Sequence, residues 1–186
     1  MKHNKPLSRA EVEISRFMSL VLRHKPESIG LFLDSQGWAF IDELLARAAR
    51  INKPISREQL KRIVDDNDKQ RFAVSADGLR IRARQGHSTA QVDITFEPVS
   101  PPAQLFHGTA TRFLDSIRVS GLVPGERQYV HLSPDRTTAL AVGNRHGKPV
   151  AVTVDAEGMA RDGFLFYLSE NGVWLTREVP AAYLQI

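Results

Sequence analysis

Residues 56–84 read SREQLKRIVDDNDKQRFAVSADGLRIRAR, and the order of elements in this stretch decides the fold of the first half of the chain. Ser56 with Gln59 three residues later is a capping box. Leu60, Ile63 and Val64 follow at helical spacing, so a helix is expected over 57–66. Phe72-Ala73-Val74 and Leu79-Arg80-Ile81-Arg82 read as short strands joined through Asp77-Gly78, a strong hairpin signal. The same grammar recurs upstream. Ser8 and Glu11 form another capping box, followed by Ile14, Phe17, Met18, Val21 and Leu22 on one helical stripe. Pro26 should end that helix and leave Arg23 and His24 at its carboxyl end. Ile41, Leu44, Leu45 and Ala48 mark a third helix.

Three helices followed by a hairpin is the order of a winged helix, and we place such a lobe over residues 1–95. The first ten residues read as a flexible arm. Residues 84–103 contain Gln, Gly, Ser and Thr and end in Pro98-Val-Ser-Pro101-Pro102, which reads as an extended linker. A second domain, over 96–186, shows short strands at Leu105-Phe106, Tyr129–Leu132, Val150–Val154, Phe164–Tyr167 and Val173–Thr176. A helix is expected from about Arg112 to Ser120, with Gly121 capping its end. The class is α+β.

Composition narrows the function. The chain has 186 residues, 42% hydrophobic and 25% charged, too apolar for a disordered protein. No stretch approaches the ~20 apolar residues that span a bilayer, and the amino terminus lacks the apolar core of a secretory signal. The absence of cysteine excludes disulfides, thiolate catalysis and cysteine-ligated metal. A cytoplasmic protein with no membrane association is expected. Residues 1–98 carry 17 Lys and Arg against 13 Asp and Glu, whereas residues 99–186 carry 8 of each. The basic excess therefore points to a polyanion contacted by the amino-terminal half.

Several residues could carry chemistry, and each has a plain structural alternative. Arg23 and His24 could simply complement a helix dipole. Arg71 could pair with the acidic run Asp65-Asp66-Asn67-Asp68. Arg80, Arg82 and Arg84 alternate on one strand face and could touch phosphates or only water. His107-Gly108-Thr109 sits where a strand meets a turn, and glycine there would let a ligand approach the backbone. His131 and Ser133 share a strand face. Asn171-Gly172-Val173 could be an ordinary turn entering a buried strand. His87, His107, His131 and His146 show no close ligand spacing, so no metal is expected.

Taken together and in order, VLRHKP (21–26), KQRF (69–72), HGT (107–109), RQYVHLS (127–133), VGNR (142–145) and NGVWLT (171–176) resemble the RNA 2'-phosphotransferase family, whose best-known members are tRNA 2'-phosphotransferases. The resemblance runs from about residue 10 to residue 183. It implies a winged-helix lobe followed by an ADP-ribosyltransferase-like lobe with a split β-sheet that binds NAD. The implied reaction removes an internal 2'-phosphate from RNA. The phosphate first attacks the nicotinamide ribose of NAD, giving an ADP-ribosylated RNA phosphate. Transesterification then releases 2'-hydroxyl RNA and ADP-ribose 1'',2''-cyclic phosphate.

The resemblance assigns roles by motif. Arg23, His24, Arg71 and Arg127 correspond to the phosphate-handling, catalytic set. His107, His131 and Val173 correspond to the ADP-ribosyltransferase triad, with Gly108, Thr109, Ser133 and Asn171 as further NAD contacts. Arg145 also matches the family without a clear role. Protein-modifying relatives carry glutamate where this chain has Val173, and a phosphate nucleophile, already ionised, needs no such base. Arginine suits phosphate because its planar fork stays charged and donates paired hydrogen bonds. The implied partners are 2'-phosphorylated RNA and NAD, with no metal, and a monomer is expected. Two other readings stay open. One is an ADP-ribosyltransferase that stops after the first step, on terminal phosphates or protein. The other is a winged-helix regulator.

Overall fold

The computed structural model describes residues 6–66 and 70–186, and the chain divides into two compact units, Met1–Thr95 and Phe96–Ile186. Met1–Lys5 of the expected arm lie outside the described residues, as do Asn67, Asp68 and Lys69, the last being the first residue of KQRF.

In the first unit, α1 spans Arg9–Arg23, with the Ser8 hydroxyl and Glu11 carboxylate closing the capping box on each other's amides. Glu11 also pairs with Arg62 at 3.1 Å. That ties α1 to α3 (Arg57–Asp65), which is opened by the Ser56–Gln59 box. Helix α2 spans Ile41–Arg50. The apolar stripe of α1 buries Met18, Val21 and Leu22 completely, against a core that includes Leu44, Ala48, Ile63, Phe72 and Ile81. Each buried side chain of that size contributes on the order of 1.5–3 kcal/mol. Strands β1 (Ala39–Phe40), β2 (Phe72–Val74) and β3 (Arg80–Ala83) form an antiparallel sheet in the order β1-β3-β2. The two-residue β1 is too short to show alternation, and its pairing of Ala39 with Ile81 and Phe40 with Arg80 defines it.

The hairpin is looser than its Asp-Gly signal suggests. Gly78 does take a positive φ of 72°, but its amide donates to the Ser75 carbonyl, and β3 begins only at Arg80. The expected linker is also corrected. Residues 84–95 are not a spacer: His87 is 2% exposed, Val92 0% and Ile94 5%. The amides of Ser88 and Asp93 donate to the carbonyls of Arg23 and Ser35. Pro98 and Val99 already belong to the second unit, where they pair with Tyr167 and Phe166. Small polar residues signal irregular backbone, but such backbone can still be packed and hydrogen-bonded.

The second unit contains two three-stranded antiparallel sheets. One has the order β4-β6-β9, from Gln104–Ala110, Pro149–Asp155 and Leu184–Gln185. The other has the order β5-β8-β7, from Val130–Leu132, Trp174–Thr176 and Phe166–Leu168. They meet at one bridge, where Phe106 and Ser133 exchange backbone hydrogen bonds of 2.8 Å. Leu105, Val130, Leu132, Val154, Phe166 and Trp174 lead the core. Helix α4 (Leu114–Ser120) begins two residues later than expected, after a 3-10 turn at Thr111–Phe113. Helices α5 (Arg136–Gly143) and α6 (Ala156–Arg161) were not anticipated, although Asp135 and Asp155 cap them with their carboxylates. Among the described residues no helix is long and apolar enough to cross a membrane.

Candidate functional site

Helix α1 ends where its sequence said it would, and the end is built to present side chains. Arg23 is its last residue, and His24 is the C-cap, with its amide donating to the Leu20 carbonyl. The segment after β3 closes over this end. The Ser88 amide donates to the Arg23 carbonyl at 2.9 Å, and the Ser88 hydroxyl lies 2.9 Å from Nδ1 of His24. Arg71 stands just before β2, its carbonyl accepting from the Arg84 amide at 3.0 Å. Arg23, His24 and Arg71 line one pocket of about 440 Å³, together with Arg16, Ser19 and Leu20 of α1. The first two are adjacent at the helix end, and the third arrives from 48 residues away in sequence. Of the acidic neighbours expected to compete for Arg71, Asp65 pairs with Lys61 and Asp66 with Arg62, while Asp68 lies outside the described residues.

His87 sits behind this helix end. Burial, and then the charges of Arg23, His24 and Arg82, push its pKa down to about 4. It is therefore neutral at pH 7, and it adds no charge of its own to the cationic cluster.

In the second unit, His107 on β4 and His131 on β5 flank the bridge that joins the two sheets. Nδ1 of His107 donates to the His131 carbonyl at 3.1 Å. That leaves Nε2 of a neutral ring as an acceptor. Burial foremost, then the nearby charges of Arg127 and His146, lowers the pKa of His107 and favours that neutral form. The Arg127 guanidinium donates to Nδ1 of His131 at 3.0 Å, so Nε2 of His131 carries the hydrogen. The site thus offers one ring acceptor and one ring donor. Arg127, grouped by motif with the phosphate residues, thus touches His131, grouped by motif with the NAD residues.

A profile of the RNA 2'-phosphotransferase, Tpt1 / KptA family matches residues 9–178. The chain belongs to the RNA 2'-phosphotransferase family. It is 61% identical over 172 residues to a protein of Agrobacterium fabrum, with 92% of each chain covered. It is 56% identical over 172 residues to one of Pectobacterium carotovorum, again with 92% of each covered. A protein of Burkholderia lata is 58% identical, with 92% of this chain and 89% of that protein covered. All three carry the name "Probable RNA 2'-phosphotransferase". The chain is accordingly a transferase.

Within this RNA 2'-phosphotransferase fold, two motif glycines turn out to serve packing. A Cβ on Gly108 would lie 1.8 Å from the Ala139 carbonyl oxygen, and one on Gly143 would lie 2.4 Å from that of Thr109. Helix α5 therefore lies backbone to backbone on β4. Thr109 is buried at 6% exposure, and Arg145 follows in the turn Asn144–His146. Asn171, Gly172 and Val173 make the tight turn between β7 and β8. Ser169, which the sequence did not single out, organises it: its buried hydroxyl accepts from the Val173 amide at 3.0 Å and donates to Asn171 at 2.9 Å. One register step beyond β5 and β8 sets Val173 across from Ser133.

The alternation of Arg80, Arg82 and Arg84 holds, since Ile81 and Ala83 between them are fully buried. Their guanidinium groups have protein contacts. Arg82 stacks 4.6 Å from the Trp38 ring, Arg80 lies 3.9 Å from Asp34, and Arg84 donates to the Phe72 carbonyl at 3.1 Å. Sequence reading missed Arg16 and Ser88. Arg16 lies seven residues before Arg23, two helical turns up the same face, a spacing that could have found it. Nothing local marks Ser88.

Proposed function

We propose that the protein removes a 2'-phosphate from RNA with NAD as co-substrate, through an ADP-ribosylated RNA phosphate. The observation that carries this reading is the convergence of Arg23, His24 and Arg71 on one pocket. Two guanidinium groups and an imidazole can grip a dianionic phosphate and then stabilise the charge that develops as the phosphoryl group is transferred. Among the described residues no carboxylate lines that pocket to oppose the anion.

The second unit fits NAD through its donor set. An acceptor at Nε2 of His107 and a donor at Nε2 of His131 suit ribose hydroxyls, each of which can donate and accept. Gly108, Thr109, Ser133 and Asn171 would complete the NAD contacts, and Val173 would occupy the position of the relatives' glutamate. When bound, NAD supplies the ribose carbon that accepts the phosphate as nicotinamide leaves. Arg127 would hold His131 in its donor form and lend positive charge to the phosphate.

The α1-β1-α2-α3-β2-β3 order with sheet order β1-β3-β2 supports a winged-helix, RNA-facing lobe over 1–95. The two sheets meeting at Phe106 and Ser133 support an ADP-ribosyltransferase-like NAD lobe over 96–186. We read the protein as a cytoplasmic monomer. Incubation with NAD and a short 2'-phosphorylated RNA is expected to yield 2'-hydroxyl RNA, nicotinamide and ADP-ribose 1'',2''-cyclic phosphate. Arg71→Ala is expected to accumulate the ADP-ribosylated RNA. A wild-type protein that stalls at that adduct, or that leaves the RNA untouched, overturns the proposal.

A further inference from the structure

The pocket that holds Arg23, His24 and Arg71 is longer than one phosphate requires. Its wall continues up α1 from Arg23 through Leu20 and Ser19 to Arg16, and beyond to Val12. At 1.5 Å of rise per residue, Arg16 stands ~10 Å up the helix from Arg23. Among the described residues the wall carries no carboxylate. The acidic residues of α1 are engaged elsewhere: Glu11 pairs with Arg62 at 3.1 Å, and Glu13 lies 4.0 Å from Arg9. An anion-binding site thus extends past the point where three cationic side chains already converge, and it ends at a fourth. The Leu20, Val12 and Leu7 side chains supply an apolar wall beside it.

A phosphate attached to an RNA 2'-oxygen is flanked by backbone phosphodiesters, so the ligand carries further anionic groups within a nucleotide's reach. We propose that Arg16, with the hydroxyl of Ser19 beside it, binds a backbone phosphodiester adjoining the nucleotide that bears the 2'-phosphate. This rests on the assignment of Arg23, His24 and Arg71 to that 2'-phosphate. Arg16 is exposed, so its guanidinium can meet a strand lying along the helix. The contact positions and selects. It favours a 2'-phosphate within a strand over the same group on an isolated nucleoside, because only the strand supplies the second anion.

The test compares adenosine 2'-phosphate with a 2'-phosphorylated trinucleotide under saturating NAD. The ratio of kcat/KM, trinucleotide over nucleoside, is expected to fall about tenfold in Arg16→Ala and to recover largely in Arg16→Lys. In Arg16→Ala the log–log salt slope for binding of a fluorescent 2'-phosphorylated trinucleotide without NAD is expected to become shallower by about 0.7 units, the contribution of one phosphate contact on a single strand. An unchanged ratio together with an unchanged salt slope overturns the subsite. If the wild type consumes neither substrate with NAD, the proposed function fails instead, and the salt slope still judges Arg16.

Discussion

The hydroxyl of Ser88 lies 2.9 Å from Nδ1 of His24, across 64 residues of sequence. A hydroxyl can donate to Nδ1 of a neutral imidazole and accept from it when the ring is charged. His24 can therefore change protonation state without losing this anchor, and in both states Nε2 can carry a hydrogen toward the pocket. Ser88→Ala is expected to lower kcat by about tenfold to a hundredfold, the scale on which misplaced reacting groups cost rate. Ser88→Thr keeps the hydroxyl and is expected to retain most of the activity. Single-turnover rates with NAD and 2'-phosphorylated RNA, alongside nitrogen NMR of the His24 ring, check this. An alanine variant with wild-type rate and ring tautomer would count against it.

His87 makes the stability of the first unit sensitive to acid. Its pKa falls from 6.5 to about 4 in the folded chain because burial and the Arg23, His24 and Arg82 charges disfavour protonation. Between those values the unfolded chain binds the proton and the folded one does not, so stability is complete above pH 6.5 and is lost as pH falls toward 4. At 1.36 kcal/mol per unit, the loss is roughly 3 kcal/mol. His87→Asn is expected to flatten this dependence, the amide keeping a donor for the Leu22 carbonyl. Urea midpoints at pH 7, 5.5 and 4.5 measure it, and parallel curves for the two proteins would refute the assignment.

Gly108→Ala and Gly143→Ala are expected to destabilise the second unit by more than Gly78→Ala destabilises the first. The added methyl of Gly108→Ala meets the Ala139 backbone, and that of Gly143→Ala meets the Thr109 backbone, neither of which can rotate away. Overpacking of this kind costs about 1–3 kcal/mol or more. At Gly78 the space is open, and only its φ of 72° opposes a side chain, at roughly 1–2 kcal/mol. Thermal melts of the three variants give the order. Equal losses at all three positions would show that α5 can shift off β4.

Val173→Glu is expected to weaken transfer to the RNA phosphate. The Val173 backbone is pinned by Ser169, whose amide donates to its carbonyl at 2.9 Å and whose hydroxyl accepts from its amide at 3.0 Å. The substitution thus changes the side chain and leaves the turn in place. A carboxylate about 4 Å from the phosphate would repel it by roughly 4 kcal/mol at an effective dielectric of about 20. Partial exposure screens this to a smaller figure, and we expect a loss of about tenfold or more in rate. The wild type is expected to convert labelled NAD and 2'-phosphorylated RNA into labelled ADP-ribose 1'',2''-cyclic phosphate and to leave a protein mixture unlabelled. An unimpaired glutamate variant, or efficient protein labelling by the wild type, would sink this account of substrate choice.

Short-range signals were enough for much of this molecule. Capping boxes, Pro26 and the apolar stripe set α1 and α3 to within a residue, because a helix is made of contacts three and four positions apart. Six short motifs in order were enough to identify the family, although each alone had an ordinary structural explanation. Strand β1 and the packed segment 84–95 were not legible, since their residues are ordered by partners far away in sequence. The same limit applies to chemistry. Which residue types could handle a phosphate was written in the chain, but the meeting of Arg71 with Arg23 and His24 was decided by the packing of β2 and β3 beside α1. Ser88 is the clearest case: nothing in its neighbourhood marks it, and only tertiary contact brings its hydroxyl to His24, because a side-chain hydrogen bond depends on position in space and on nothing that adjacent residues encode.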